Sequence, residues 1–172
     1  MSAEPSQTAL NNRVTITRFA HKKAPQGEQV EIDGDFFAKP AVIADKDAAP
    51  LFTFARHNGN YRKVENFIDT SVLGFDLDVV PYATEEDIRA ALVKLGCGGI
   101  YHTSHSATPD TPKWHLFIVT TRPMSDAEYR EMHARVRAMF PFGVGEAAKD
   151  SVRAWFIPVK SSEGAFYRSG QV

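Results

Sequence analysis

The sequence predicts an α+β fold, and the order of its apolar patterns between residues 71 and 160 carries that prediction. Four runs rich in β-branched and aromatic residues alternate with two capped amphipathic stretches, in the order strand, helix, strand, strand, helix, strand. That is the βαββαβ order of RRM-like and ferredoxin-like domains. We therefore expect an RRM/ferredoxin-like βαββαβ core with an N-terminal α/β extension.

Each element of the core has a local signal. The run VLGFDLDVV, residues 72–80, predicts a buried strand. The first helix begins at a Thr84 cap, carries acids in its first turn and ends at Gly96. Ser125 and Glu128 form a capping box for a second helix, which extends to about Met139. The other predicted strands are 99–104, 114–121 and 152–158.

Residues 1–70 carry no strong motif and are expected to pack on the core as an extension, with residues 1–12 disordered. Residues 161–172 are expected to form a C-terminal tail. Within the extension, local patterns predict a strand at 14–19, a short strand or helical turn ending at Pro40, a strand at 51–55 and a turn at 57–60.

Composition excludes several classes of protein. A net charge of −1 and a pI of about 6.6 give no support for tight, purely electrostatic binding of nucleic acid, so any such contact would be local. Cys97 is the single cysteine, which excludes a disulfide within the chain and a cysteine-cluster zinc site. No apolar run approaches the roughly 20 residues that span a bilayer. The expected location is the cytoplasm, with no membrane partner.

Two aspartates in the strand 72–80 make it the most informative stretch of the chain. Strand side chains alternate, so Asp76 and Asp78 share one face, while Phe75 and Leu77 share the other. Two neighbouring carboxylates repel each other and resist desolvation unless a cation compensates them. A divalent metal ion would provide that compensation. The alternative is that this face is open to water and the acids are only solubilising.

The predicted fold brings further polar residues to the same place. In the ferredoxin-like strand order 4-1-3-2, the end of strand one lies beside the start of strand three, with His115, and the start of strand four, with Asp150. Three carboxylates around one or two divalent ions suit phosphoryl and nucleotidyl transfer. His115 could then contact a triphosphate. Phosphates could also meet Lys113, Lys149 and Arg153.

These motifs resemble the archaeo-eukaryotic primase superfamily, in particular the small primase-polymerases of plasmids and phages. The resemblance covers roughly residues 71–160. GFDLD corresponds to the family's first motif, with Asp76 and Asp78; KWHLF corresponds to the second, with His115; KDSVRAWFIP corresponds to the third acid, Asp150. Lys113 departs from the pattern, since the family has a small residue two positions before its histidine. Glu146 is a rival for the third acid.

The resemblance implies a metal-dependent, template-directed nucleotidyltransferase, a DNA primase or polymerase in plasmid or phage replication. It implies that Asp76, Asp78 and Asp150 are catalytic residues that hold Mg²⁺ or Mn²⁺. Nucleotide-binding residues would be His115, Ser104, Ser106, Lys113 and Arg153. The implied partners are a single-stranded DNA template, nucleoside triphosphates and a replicative helicase acting in trans.

Other interpretations remain open. A non-catalytic RRM-like nucleic-acid-binding module fits the same fold, although such a surface would avoid two adjacent aspartates. The histidines His102, His105 and His115 suggest a transition-metal site, but His102 and His105 point to opposite faces of one strand. An exposed Tyr101 or Tyr82 could stack on a template base.

Overall fold

The computed structural model describes residues 14–172, which form three helices, eleven strands and several short 3₁₀ turns. The predicted disorder of residues 1–12 lies outside the described residues. The helices are α1 (Asp35–Ala38), α2 (Glu85–Leu95) and α3 (Asp126–Arg137). The strands are β1 (Val14–Phe19), β2 (Glu28–Ile32), β3 (Ala41–Val42), β4 (Leu51–Thr53), β5 (Arg56–His57), β6 (Phe67–Leu77), β7 (Gly99–Thr103), β8 (Trp114–Met124), β9 (Trp155–Phe156), β10 (Val159–Lys160) and β11 (Ser169–Gln171).

A five-stranded sheet in the order β11-β7-β8-β6-β5 forms the centre of the protein. All of its pairings are antiparallel. The outer face of the sheet carries Phe75, Leu77, Tyr101 and Leu116, which are fully buried in one apolar cluster together with Ile88 and other residues of the helices. Alternation along each strand sends the other side chains to the inner face.

A second sheet, in the order β2-β1-β4-β9, covers the inner face. Phe52 of this sheet, Phe37 of α1 and Phe117 of the central sheet lie in one buried cluster. Phe52 and Phe117 pack edge to face, with 5.8 Å between ring centroids. The layer between the sheets is therefore apolar at its middle. A separate parallel pair, β3 with β10, lies outside both sheets.

The two long helices confirm the predictions from their caps. The Thr84 hydroxyl accepts from the Asp87 backbone N–H, and the Asp87 carboxylate accepts from the Thr84 N–H at 2.9 Å. Gly96 ends α2 in the left-handed conformation, with φ of 65°. The Ser125–Glu128 capping box is present at the start of α3. The stretch that ends at Pro40 was expected to be either a short strand or a helical turn. It contains both, the end of β2 and then α1.

The prediction that the last apolar run forms the fourth strand of a ferredoxin-like sheet is wrong. Only Trp155 and Phe156 of the predicted run form a strand, and this strand pairs with β4 of the second sheet. The neighbour of β6 on that side is β5, from the region before the core. The reason lies at Gly74, where a built Cβ would approach Trp155 Cζ2 to 2.5 Å. The indole packs on the backbone of β6 from the facing layer, so its own strand lies in that layer.

Two predicted boundaries also change. Strand β6 begins at Phe67 and crosses the boundary expected after residue 70. The expected tail contributes β11, which pairs antiparallel with β7 and forms an edge of the central sheet. Within residues 14–172, no helix has the length and apolar character needed to cross a membrane.

Candidate active site

A row of three polar side chains crosses the inner face of the central sheet. Asp76 of β6 pairs directly with His115 of β8, which pairs directly with His102 of β7. Asp76 Oδ1 lies 3.8 Å from His115 Nε2. The two imidazole rings lie 5.0 Å apart between centroids, nearly perpendicular to each other. The row lies near the end of β6, where Asp76 is the second-last residue of the strand.

Burial sets the charge of each member of the row. The Asp76 side chain is only 14% exposed, and burial raises the pKa of its carboxyl group, while Arg153, Lys46 and Lys113 act in the opposite direction. Burial lowers the pKa of both His102 and His115 to about 3. Both imidazoles are therefore neutral at pH 7.

Asp78 follows the last residue of β6 and is exposed. The pKa of its carboxyl group is raised, first by partial desolvation and then by the charge of Asp76. The two carboxylates are thus close enough to repel each other.

A loop between α3 and the last strands holds the end of β6. The Gly145 N–H donates to the Asp76 carbonyl oxygen at 2.7 Å, and the Gly143 N–H donates to the Pro81 carbonyl oxygen at 2.9 Å. A Cβ at Gly145 would lie 2.8 Å from Asp78 Oδ1 and 3.3 Å from the Asp76 carbonyl oxygen. The Asp78 carboxylate therefore fits at this position because Gly145 has no side chain.

Basic side chains surround the acidic pair. Arg153 Nη2 lies 3.5 Å from Asp76 Oδ2, and its guanidinium group lies over the Trp155 ring at 5.4 Å from the centroid. Arg153 Nε is buried and has no hydrogen-bond partner within residues 14–172. Lys46, from the 3₁₀ turn before β4, lies over the Phe156 ring at 4.9 Å. With Lys113, which is half-buried, these cations could meet an anionic ligand.

The structure does not bring Asp150 or its rival Glu146 to this row. Asp150 Oδ1 accepts from Arg130 Nη1 of α3 at 3.2 Å, and its side chain is 52% exposed. Glu146 pairs with Arg137 at 2.5 Å. Across residues 14–172, no three His, Cys, Asp or Glu side chains are grouped to hold a metal ion. The role of Asp150 as a third metal ligand stays a prediction.

The remaining predicted residues lie in or near the loop between β7 and β8. Ser104 is buried, its hydroxyl has no partner in the described chain, and its N–H donates to the Lys113 carbonyl oxygen at 2.8 Å. Ser106 is exposed. His105 Nε2 lies 2.9 Å from the Ile43 carbonyl oxygen.

Tyr101 cannot stack on a template base. It is fully buried on the outer face of the sheet, and its hydroxyl donates to Glu85 Oε1 at 2.9 Å. Tyr82 is half-buried.

Sequence reasoning missed two residues of the site. The sequence suggests His102 only as part of a transition-metal site with His105 and His115, because the register between β7 and β8 cannot be derived from either strand. Lys46 lies in a segment without a motif, and only the packing of the 3₁₀ turn beside Phe156 brings it to the row.

Comparisons with known proteins show the fold. No protein-family model matches the chain, and no curated protein matches it. Among solved structures, the chain is similar to the AEP domain of the cyanophage S-2L primase-polymerase. That match has a TM-score of 0.52 and 10% identity over 91% of this chain and 80% of the phage domain.

The chain also matches the polymerase domain of Mycobacterium tuberculosis ligase D, solved with DNA. The TM-score is 0.46 and the identity 17%, over 91% of this chain and 60% of that one. At such identities a match describes only the arrangement of the backbone. The match to the phage domain therefore shows that this chain shares the fold of that AEP domain.

Proposed function

We propose that this chain is a metal-dependent, template-directed nucleotidyltransferase, a DNA primase or polymerase that acts in the cytoplasm in plasmid or phage replication. The observation that carries the proposal is the Asp76–Asp78 pair at the end of a central strand. Asp76 is mostly buried, yet its nearest cation, Arg153, lies as far away as 3.5 Å. A buried carboxylate with such weak compensation is costly unless a ligand completes its surroundings.

The residues present fit a divalent ion in part. Asp76 and Asp78 offer hard carboxylate oxygens, which Mg²⁺ and Mn²⁺ prefer, and Mg²⁺ is commonly held by one or two carboxylates together with substrate phosphates. Such an ion would stabilise the attacking and leaving oxygens of nucleotidyl transfer. Asp150 would join the pair only after it leaves Arg130. We keep it in the proposal as the third acid, with Glu146 as its alternative.

The surrounding side chains suit a nucleoside triphosphate. Arg153, Lys113 and Lys46 supply positive charge beside the two acids, and their fork-shaped or flexible donors can meet phosphate oxygens. His115 borders Asp76 and would contact the nucleotide, while Ser104 and Ser106 would line the pocket. The template would be single-stranded DNA, with a replicative helicase acting in trans.

The test is incorporation of labelled ribo- and deoxyribonucleotides on a single-stranded template, with Mg²⁺ or Mn²⁺, with and without a primer. Wild type should give template-dependent product, and Asp76→Asn and Asp78→Asn should each abolish it. Glu86→Gln is the matched control, because Glu86 is an exposed carboxylate in the first turn of α2. A wild-type protein with no product under any condition, or an Asp76→Asn variant with full activity, would contradict the proposal.

A non-catalytic nucleic-acid-binding replication module is the second candidate. The ion pair between Asp150 and Arg130 favours it, because it keeps the third predicted acid away from the pair. The same variants separate the two functions. Template binding that survives Asp76→Asn in a protein without polymerase activity would support the binding module.

A further inference from the structure

Arg153 brings a positive charge to the site, yet no short ion pair holds it there. Its Nη2 lies 3.5 Å from Asp76 Oδ2, at the outer limit of a hydrogen bond. Its Nε is buried and has no hydrogen-bond partner in the described part of the chain. A guanidinium group carries its N–H donors in one rigid plane. The contact with Asp76 is therefore too long to fix the direction of that plane by itself.

The neighbouring charges do not fix the guanidinium group either. Burial, and then the positive charge of Arg153, lower the pKa of Arg62. The two cations are therefore close enough to repel each other, and this repulsion opposes the attraction of Arg153 to Asp76. A further contact is needed to keep Arg153 in one orientation.

The Trp155 ring provides that contact. The Arg153 guanidinium carbon lies over the ring, 5.4 Å from its centroid. Tryptophan attracts a cation to its face more strongly than tyrosine or phenylalanine does, and the attraction increases where water is excluded. The backbone supports the same position, because the Arg153 N–H donates to the Asp150 carbonyl oxygen at 3.0 Å.

The indole of Trp155 is itself held on several sides. Trp155 is buried, and its Cζ2 atom would lie 2.5 Å from a Cβ built at Gly74. Its ring packs against the rings of Phe117 and His115, with 5.1 Å between centroids in each case. Its backbone pairs with that of Phe52 across β9 and β4. A ring fixed in this way can fix the cation above it.

We propose that Trp155 is a positioning residue that holds the Arg153 guanidinium group by a cation–π contact, so that its N–H donors face the triphosphate of an incoming nucleotide. The inference rests on the proposed function, since it concerns how that site binds phosphates. An arginine in a bidentate pair with a carboxylate would have to break that pair before it could bind a phosphate. An arginine held by an aromatic ring keeps its donors available for two parallel hydrogen bonds to phosphate oxygens.

The test compares Trp155→Leu with Trp155→Phe, because both remove the part of the indole that packs on Gly74 and only phenylalanine keeps an aromatic face. Isothermal titration calorimetry measures the Kd of a non-hydrolysable nucleoside triphosphate in the presence of Mg²⁺. From the strength of cation–π contacts, we expect Trp155→Leu to raise Kd about 3- to 30-fold and Trp155→Phe to raise it less than about 3-fold. In an Arg153→Met background the two substitutions should give the same Kd.

Equal binding by Trp155→Leu and Trp155→Phe would overturn the proposal, because the effect would then come from the lost volume of the indole. A difference between them that persists in the Arg153→Met background would overturn it as well.

The side-chain NMR signals of Arg153 test the contact without any nucleotide. In wild type, the ring current of Trp155 should shift the ¹H signals of the Arg153 side chain upfield, and Trp155→Leu should return them to ordinary values. Arg153→Met identifies the signals by their loss. Unshifted signals in wild type would overturn the proposal even if Trp155→Leu does not fold. A wild-type protein that shows the shift but binds no triphosphate would support the contact and contradict the proposed function.

Discussion

Replacing Gly145 by alanine tests whether the loop at the end of α3 sets the position of Asp78. The added Cβ would lie 2.8 Å from Asp78 Oδ1, about 0.6 Å short of ordinary van der Waals contact at 3.4 Å. The backbone at Gly145, with φ of −64° and ψ of 146°, suits alanine, so the substitution introduces no backbone strain. The effect should therefore fall mainly on the Asp78 carboxylate, with a smaller effect on the Asp76 carbonyl oxygen at 3.3 Å.

The structure predicts a small loss of stability and a large loss of activity. Because Asp78 is exposed, its carboxylate can move aside, and we expect the free energy of unfolding to fall by about 1 kcal/mol or less. Catalysis tolerates such a displacement poorly, since misplacing a reacting group by about 1 Å can cost roughly 100-fold in rate. We expect a loss of incorporation rate of at least about 10-fold and weaker Mn²⁺ binding.

The assay measures primer extension and, separately, Mn²⁺ binding by electron paramagnetic resonance of the free ion. Gly164→Ala is the matched control, because a Cβ at Gly164 meets nothing within 4 Å. Wild-type rate and Mn²⁺ affinity in a folded Gly145→Ala variant would refute the reasoning. So would an equal loss in Gly164→Ala.

Three further predictions concern stability. Burial raises the pKa of Asp76, so its ionised form opposes folding as the pH rises through that pKa. Asp76→Asn should therefore remain folded and raise the melting temperature at pH 7, by about 2–4 °C for each kcal/mol gained. A lower melting temperature would contradict this. Below pH 6.5 the unfolded chain takes up protons on His102 and His115 that the folded protein resists down to about pH 3. The free energy of unfolding, measured by urea denaturation, should therefore fall with acidification by up to about 1.4 kcal/mol per pH unit for each histidine, and His102→Phe should reduce that slope. Gly74→Ala should lower the free energy of unfolding by about 1–3 kcal/mol through overlap with Trp155, measured by urea denaturation against Gly164→Ala; an unchanged midpoint would show that the indole moves freely.

Local signals made the two long helices predictable. Thr84, Asp87 and Gly96 lie within one short stretch, and their hydrogen bonds depend only on neighbouring backbone. The relation of Asp76 to His115 was also predicted, because two long apolar strands of a split βαβ unit pair at the centre of a sheet.

The position of the last strand could not be predicted from local signals. The sequence predicts another apolar strand at residues 155–156, but it does not predict the partner of that strand. The Trp155 indole packs against Gly74, where only a residue without a side chain leaves space for it, and its strand pairs with β4. Because the last strand lies in the second sheet, Asp150 before it lies away from Asp76. Its segment follows a 3₁₀ turn held on α3, where the Tyr129 hydroxyl donates to the Ala148 carbonyl oxygen at 2.9 Å.

The position of His102 depends on register. His102 stands opposite His115 only because the loop from 104 to 113 returns with Thr103 paired to Trp114. A slip of one residue would turn His102 to the outer face. Loop length alone does not fix that register, so the polar row became visible only in three dimensions.

The measurement that tests the central claim most directly is anomalous X-ray diffraction from a crystal of the protein with Mn²⁺ and a non-hydrolysable nucleoside triphosphate. The account predicts a manganese peak within bonding distance of carboxylate oxygens of both Asp76 and Asp78, with the triphosphate on the side of Arg153 and Lys113. A nucleotide bound elsewhere, or manganese bound without either aspartate, would contradict it.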